Sequence, residues 1–167
     1  MTTSEKPVWL VTGAAHGVGR VLAETALRHG NRVVATADRL EDLWPLVDKY
    51  ERAVIPIQLD VNDESADHEI VQRVIEILGR LDVVVNAAGY DKEGSANNAK
   101  RELERVQTNL FGALWVSQAA LGYMSANAGG RIVQVFGLDG WEKYRNRRLY
   151  ETSRTVLAEF SELFWAR

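Results

Sequence analysis

Thr12-Gly13-Ala14-Ala15-His16-Gly17-Val18-Gly19 follows the apolar run Val8-Trp9-Leu10-Val11 and precedes a helical pattern over residues 17 to 29. A strand that becomes a helix through a glycine-rich turn is built to meet an anion. Glycine lets the backbone approach a ligand closely, and the first N–H groups of the helix point at it with the positive end of the helix dipole. A bare strand-to-helix turn needs fewer glycines than this one carries. A pyrophosphate at the helix N-terminus is the group that such a turn accepts.

Outward from that turn, short apolar runs alternate with longer helical patterns, the sequence form of repeated βαβ units around a mostly parallel sheet. The runs predict strands at Val8–Val11, Arg32–Ala37, Val54–Gln58, Asp82–Asn86 and Arg131–Phe136, rich in Val and Ile as doubly covered strands are. Helices are predicted near 17–29, 40–50, 64–79 and 99–126, with a last one from about Leu149 onward. Gly30 and Gly79 follow two of them as C-terminal caps. The expected fold is a three-layer, Rossmann-like, doubly wound α/β sheet of about five strands in the order 3-2-1-4-5, in one domain. Tyr90 to Asn98 is polar and follows a strand end, where such sheets place ligand loops.

The chain has 167 residues, 46% of them hydrophobic and 26% charged, enough for one sizeable core. Its net charge of −3 supplies no global basic field for nucleic acid or an anionic membrane. Cysteine is absent, which removes disulfides, thiol nucleophiles and thiolate metal sites. His16, His29 and His68 are scattered without ligand spacing, so no metal is expected. No apolar run approaches the ~18 residues of a membrane span, and a cytoplasmic location is the expectation.

The 99–126 helix carries two apolar sets. Leu103, Val106, Leu110, Leu114, Leu121 and Met124 form a stripe expected to lie on the sheet. Phe111, Trp115 and Ala119 lie on another side, read either as a wide core face or as a helix-to-helix interface between copies. The outer edge of the fifth strand is a second candidate surface for a homo-oligomer or a partner chain.

Further landmarks come after the glycine turn in order: Asp60-Val61 after the third strand, Asn86-Ala87-Ala88-Gly89 after the fourth, Asn109 in the long helix, and Gly130-Arg131-Ile132-Val133 opening the fifth. Together they resemble the short-chain dehydrogenase/reductase family over the whole length of this chain. The resemblance implies that Gly13, His16, Gly17, Val18 and Gly19 wrap the pyrophosphate of NAD or NADP. It implies that Asp60 and Val61 meet the adenine, and that Asn86, Ala87 and Gly89 support the sheet beside the adenosine. Independently, Asp60 and Asn86 each follow an apolar run and so fall at the carboxyl ends of parallel strands, the ligand edge of such sheets. Asp38 stands at about the spacing at which an acid meets the ribose 2′-hydroxyl, which favours NAD. It also reads with Glu41 as a capping box, and His16 and Arg39 add positive charge near the same position.

The family's chemistry uses a Tyr as general acid/base, a Lys one turn later, a Ser on the substrate oxygen and an Asn in a proton relay. Tyr150 and Asn109 match. The Lys position holds Arg154, four residues from Tyr150 and on the same helix face. Guanidinium stays protonated near neutral pH and cannot relay a proton as an amine does. The Ser position holds Gly137, preceded by Phe136. Family members continue past this last helix with further strands and a substrate-covering segment, so the chain resembles the first two-thirds of one. Three readings are open: an oxidoreductase acting on a small carbonyl or alcohol with weakened chemistry, a nucleotide-binding or assembly module with reduced catalysis, and a non-redox cyclase or isomerase using Tyr150 and Asp139.

Overall fold

The structure, a computed structural model, describes residues 6–89, 106–127, 129–135 and 148–165. Five strands, β1 (Val8–Thr12), β2 (Arg32–Ala37), β3 (Val54–Gln58), β4 (Val83–Asn86) and β5 (Arg131–Gln134), form one sheet. All neighbours are parallel, as the alternation of apolar runs and helices predicts, and the order is β3-β2-β1-β4-β5, the one expected of a Rossmann-like sheet. The chain winds outward from β1 to β3, then returns to the other side of β1 at β4. The crevice between the loops after β1 and β4 is therefore the switch point where such sheets bind ligands. In register, Thr12 stands beside Asn86 and Asn86 beside Gln134, so these carboxyl ends share one edge.

Alternation along each strand sends side chains to two cores. Leu10, Val34 and Val84 face one side, under Ile70 and Val74 of α3 (Glu64–Leu78) and Val116 and Ala120 of α4 (Ala113–Ala126). Val11, Val33, Ala35 and Val85 face the other, under Ala23 and Leu27 of α1 (Gly17–Arg28) and Leu46 of α2 (Trp44–Tyr50). A third cluster joins Leu110 and Ala113 to Leu157 of α5 (Arg148–Trp165). The far end of the sheet is closed by Asp82, whose carboxylate accepts from the Val8 amide at 2.7 Å and from Arg80 at 2.6 and 2.8 Å.

Two predicted helices differ in detail. The 40–50 helix is a 3-10 turn at Leu40–Leu43 followed by α2, because Pro45 in the first turn of α2 cannot donate back into a preceding α-turn. The described part of the long helix opens with a π segment at Gln107–Gly112 before α4 begins. The wider π turn rotates α4 relative to the residues before it, so the predicted sheet-facing stripe divides. Val106, Leu110 and Leu114 pack toward α5, while Met124 joins Val116 and Ala120 against the sheet. Phe111, from the second set, is 42% exposed and tilts against Trp115 at 5.8 Å between ring centroids. Residues 99–105, the loop from Tyr90 to Asn98, and Phe136 with Gly137 and Asp139 lie outside the described residues. No described helix is long and apolar enough to cross a membrane.

Candidate functional site

The glycine turn is shaped by contacts that only glycine permits. A Cβ on Gly13 would lie 2.7 Å from the backbone of Ala88, and one on Gly19 would run into the Gly13 carbonyl oxygen and lie 3.1 Å from the Ala87 Cβ. The turn after β1 and the turn after β4 are thus packed backbone to backbone. Thr12 completes the joint: its hydroxyl accepts from the amides of Ala87 and Ala88, each at 3.2 Å. The Ala14 amide donates to the Thr36 carbonyl at 2.8 Å, anchoring the turn to β2 on the other side.

Gly17 is different. It adopts φ 53°, and nothing lies within 4 Å of where its Cβ would stand. Its backbone faces open space, as the approach of a ligand requires. His16 is the N-cap residue of α1 but makes no side-chain cap bond, and the first turn of α1 holds no acidic residue. The positive end of α1 is therefore left uncompensated beside an open glycine. His16 is 80% exposed with its Nε2 4.0 Å from Asp42, and Val18 is 53% exposed on the same turn.

Asp38 follows β2 at the same sheet edge, and its carbonyl accepts from Gln58 at 2.8 Å. The N-cap of the following 3-10 turn is Arg39, which makes no side-chain cap bond. Arg39 instead approaches Glu41 at 3.7 Å. After β3, Asp60 is exposed while Val61 is buried, its carbonyl pressed against Gly112 of the π segment. The Val61 side chain packs into the core on the α3 and α4 face. Asn86 is buried too, and its amide donates to the Ala113 carbonyl at 3.1 Å and the Ser117 hydroxyl at 2.8 Å. It binds α4 to the sheet rather than facing the crevice, with Gln134 donating to the same Ser117 oxygen at 2.8 Å.

Asn109, inside the π segment, carries its Oδ1 to 3.5 Å from the Cβ position of Gly89. The structure thus brings Asn109 to the turn that also bears Ala87 and Gly89. The backbone of Tyr150 and Arg154 lies in α5, and their side chains lie outside the described residues, as does Gly137. Among the described residues, no cluster of three or more His, Cys, Asp or Glu side chains is placed to hold a metal ion.

Sequence patterns missed several polar groups at this edge. Thr12, Asn62, Thr108 and Ser117 each make at least one bond across a long sequence separation, and no spacing rule encodes those. Asp67 is the largest surprise: it is fully buried in α3, and neither carboxylate oxygen has a hydrogen-bond partner among the described residues. Burial first, and then the charges of Asp60 and Asp63, push its carboxyl up to about 8. Asp63, by contrast, caps α3 from an exposed position, and bonds from Ser65 and Ala66 hold its carboxyl below the ordinary value.

The short chain dehydrogenase family model matches residues 7–165. The chain belongs to that family. Oxidoreductase BOA17 of Botryotinia fuckeliana is 34% identical over 157 residues, covering 92% of this chain and 57% of that protein. A short-chain dehydrogenase from Streptomyces avermitilis superposes with a TM-score of 0.86 at 32% identity, over 97% of this chain and 60% of that one. ElxO with NADP bound gives a TM-score of 0.83 at 26% identity, over 93% of this chain and 65% of that one. The chain spans about three-fifths of the length of these relatives.

Proposed function

We propose that the chain binds NAD or NADP through the turn between β1 and α1 and takes part in hydride transfer with a small carbonyl or alcohol substrate. The observation that carries this reading is the uncompensated N-terminus of α1 beside the open backbone of Gly17. A pyrophosphate fits there, and the NADP-bound relative of the same fold supports a nicotinamide cofactor. When bound, the nicotinamide supplies or accepts the hydride. The chain's own part is to orient the dinucleotide between the β1 and β4 turns and to move a proton at the substrate oxygen with Tyr150. Asn109 supports that relay, and Arg154 adds a fixed positive charge that favours the tyrosinate without passing a proton. With Gly137 offering no hydroxyl, the redox step is weak.

Asp38 favours NAD, because a carboxylate near the ribose repels a 2′-phosphate. Titration of NAD(H) and NADP(H) into the protein, followed by calorimetry and by nicotinamide absorbance, tests the whole reading. Binding with NAD preferred, and slow turnover of an activated ketone, is the expected result. Binding without turnover would favour the nucleotide-binding module, and no binding of either dinucleotide would remove the proposal. The exposed Phe111 of the π segment, tilted against Trp115 of α4, supports self-association through that side. Sedimentation as a monomer across micromolar concentrations would count against that part.

A further inference from the structure

We propose that Thr108 is a positioning residue: through Asn62 it ties the Asp60 turn to the π segment and so holds Asn109 at the Gly89 turn. The Thr108 hydroxyl donates to Asn62 Oδ1 at 2.9 Å. The side-chain and backbone N–H groups of Asn62 both donate to Asp60 Oδ1, each at 2.9 Å. This chain of bonds has one polarity. An ionised carboxylate only accepts, so the amide of Asn62 must turn its NH2 to Asp60, which leaves its carbonyl to accept the Thr108 proton. A flipped amide would set oxygen against oxygen at Asp60.

A second contact holds the other end of the π segment. Gly112 lies against Val61, where a Cβ would meet the Val61 carbonyl oxygen and come within 2.9 Å of its Cβ. Thr108 and Gly112 therefore grip adjacent residues of one turn, and Asn109 sits between them. A π segment is an energetically poorer helix that persists where its surroundings hold it. Here the surroundings include the two grips, beside the packing of Leu110 on Leu157, and the grips flank Asn109, whose Oδ1 stands 3.5 Å from the Gly89 Cβ position. The Asp60 turn is the end of the site that would carry the adenine, so this inference rests on the nucleotide reading for its second consequence only. An adenine nucleotide that orders Asp60 should also steady Asn109, although the π segment follows a different strand connection.

Amide hydrogen exchange over residues 107–112, together with the side-chain amide NMR signal of Asn109, tests this in the full chain. Thr108→Val should fold as the parent does by circular dichroism, while those amides exchange roughly 5- to 10-fold faster, the worth of one net hydrogen bond. The Asn109 signal should shift, and Thr108→Ser should restore both. Asn62→Ala removes the same bond from an exposed residue and should reproduce the Thr108→Val result, which keeps the test decisive if the valine variant fails to fold. ADP is the probe for coupling: it should slow exchange at 107–112 in the parent and not in Asn62→Ala, while protecting the Gly13 to Gly19 turn in both. Parent-like exchange and an unmoved Asn109 signal in Asn62→Ala would overturn the strut. Protection at 107–112 that survives Asn62→Ala would overturn the coupling. If ADP protects neither region, the nucleotide reading fails, and the exchange rates without nucleotide still decide the role of Thr108.

Discussion

β2 and β5 are both short parallel strands rich in branched residues, yet five of the six residues of β2 are buried and none of the four in β5 is. β2 lies between β1 and β3 with α1 and α2 over one face, whereas among the described residues β5 is paired only with β4. Apolar composition announces a strand, but neighbours decide how deeply it is buried. The same contrast separates two halves of the site. On the β1–β2 side the glycine turn, Thr12 and the open end of α1 are fixed by backbone contacts. On the β4–β5 side Asn109 meets the turn after β4, and the proposed chemistry assigns Tyr150 and Arg154 to act with it, with Gly137 read in the place of the family's serine.

The strongest way to break this contrast is Gly19→Val. Its Cβ would push into the Gly13 carbonyl, a backbone group that cannot step aside, so binding of NADH should weaken by at least ~10²-fold with helix content intact. Calorimetry beside circular dichroism checks it, and unchanged affinity in a folded variant would refute the assignment of the turn. The contrast would be sharpened from the other side by Gly137→Ser combined with Arg154→Lys. Restoring a hydroxyl and an amine should raise turnover of an activated ketone by ~10²-fold, read as cofactor absorbance. Tyr150→Phe in that background should abolish the gain, because the added groups act through the tyrosine proton.

A third test addresses stability. Asp67 titrates near 8 when folded against 3.8 as its ordinary value. Between those values the folded chain holds a proton that the unfolded chain releases. Its contribution is fully present below about pH 4, declines as pH rises, and is lost once pH passes about 8. Asp67→Asn stays neutral, so urea denaturation at pH 5 and pH 8 should show a steeper loss in the parent by several kcal/mol. Parallel losses in both proteins would show that Asp67 is ionised at neutral pH in the fold. The smallest effect is expected at Gly130, which is crowded like Gly19 but by a side chain: its Cβ would come within 2.6 Å of Met124 Cγ. Methionine repacks easily, so Gly130→Ala should cost no more than ~1 kcal/mol in thermal unfolding. A larger loss would mean that the β5 side is as tightly determined as the β1 side.

Whatever repeats with a local period could be read from the sequence. The parallel strands and the placement of Asp60 and Asn86 at their carboxyl ends come from the alternation of apolar runs and helices, while the strand order follows from the fold type that the glycine turn marks. The π segment did not show, because one extra residue in a turn leaves no mark until Thr108 and Gly112 are seen against Asn62 and Val61. Asp38 with Glu41 reads as a capping box, while the N-cap of the 3-10 turn falls one residue later, at Arg39. Asn86 stands at the expected strand end, yet its side chain serves α4, a choice made by Ser117 and the Ala113 carbonyl across some thirty residues. Asp67 resembled an ordinary polar residue in the first turn of a helix, and only the packed fold reveals it as buried.

The central position of β1 also dictates an order of assembly. Val8 can pair with Arg32 as soon as the first helical connection is made, but the other edge of β1 must wait for β4, with Val8 and Asp82 separated by 74 positions. During synthesis the first strand therefore spends its early life with one edge bare, exposing Trp9 and Val11 beside unpaired backbone groups. The interval before β4 arrives is when this chain is most open to wrong pairing, and most in need of a chaperone.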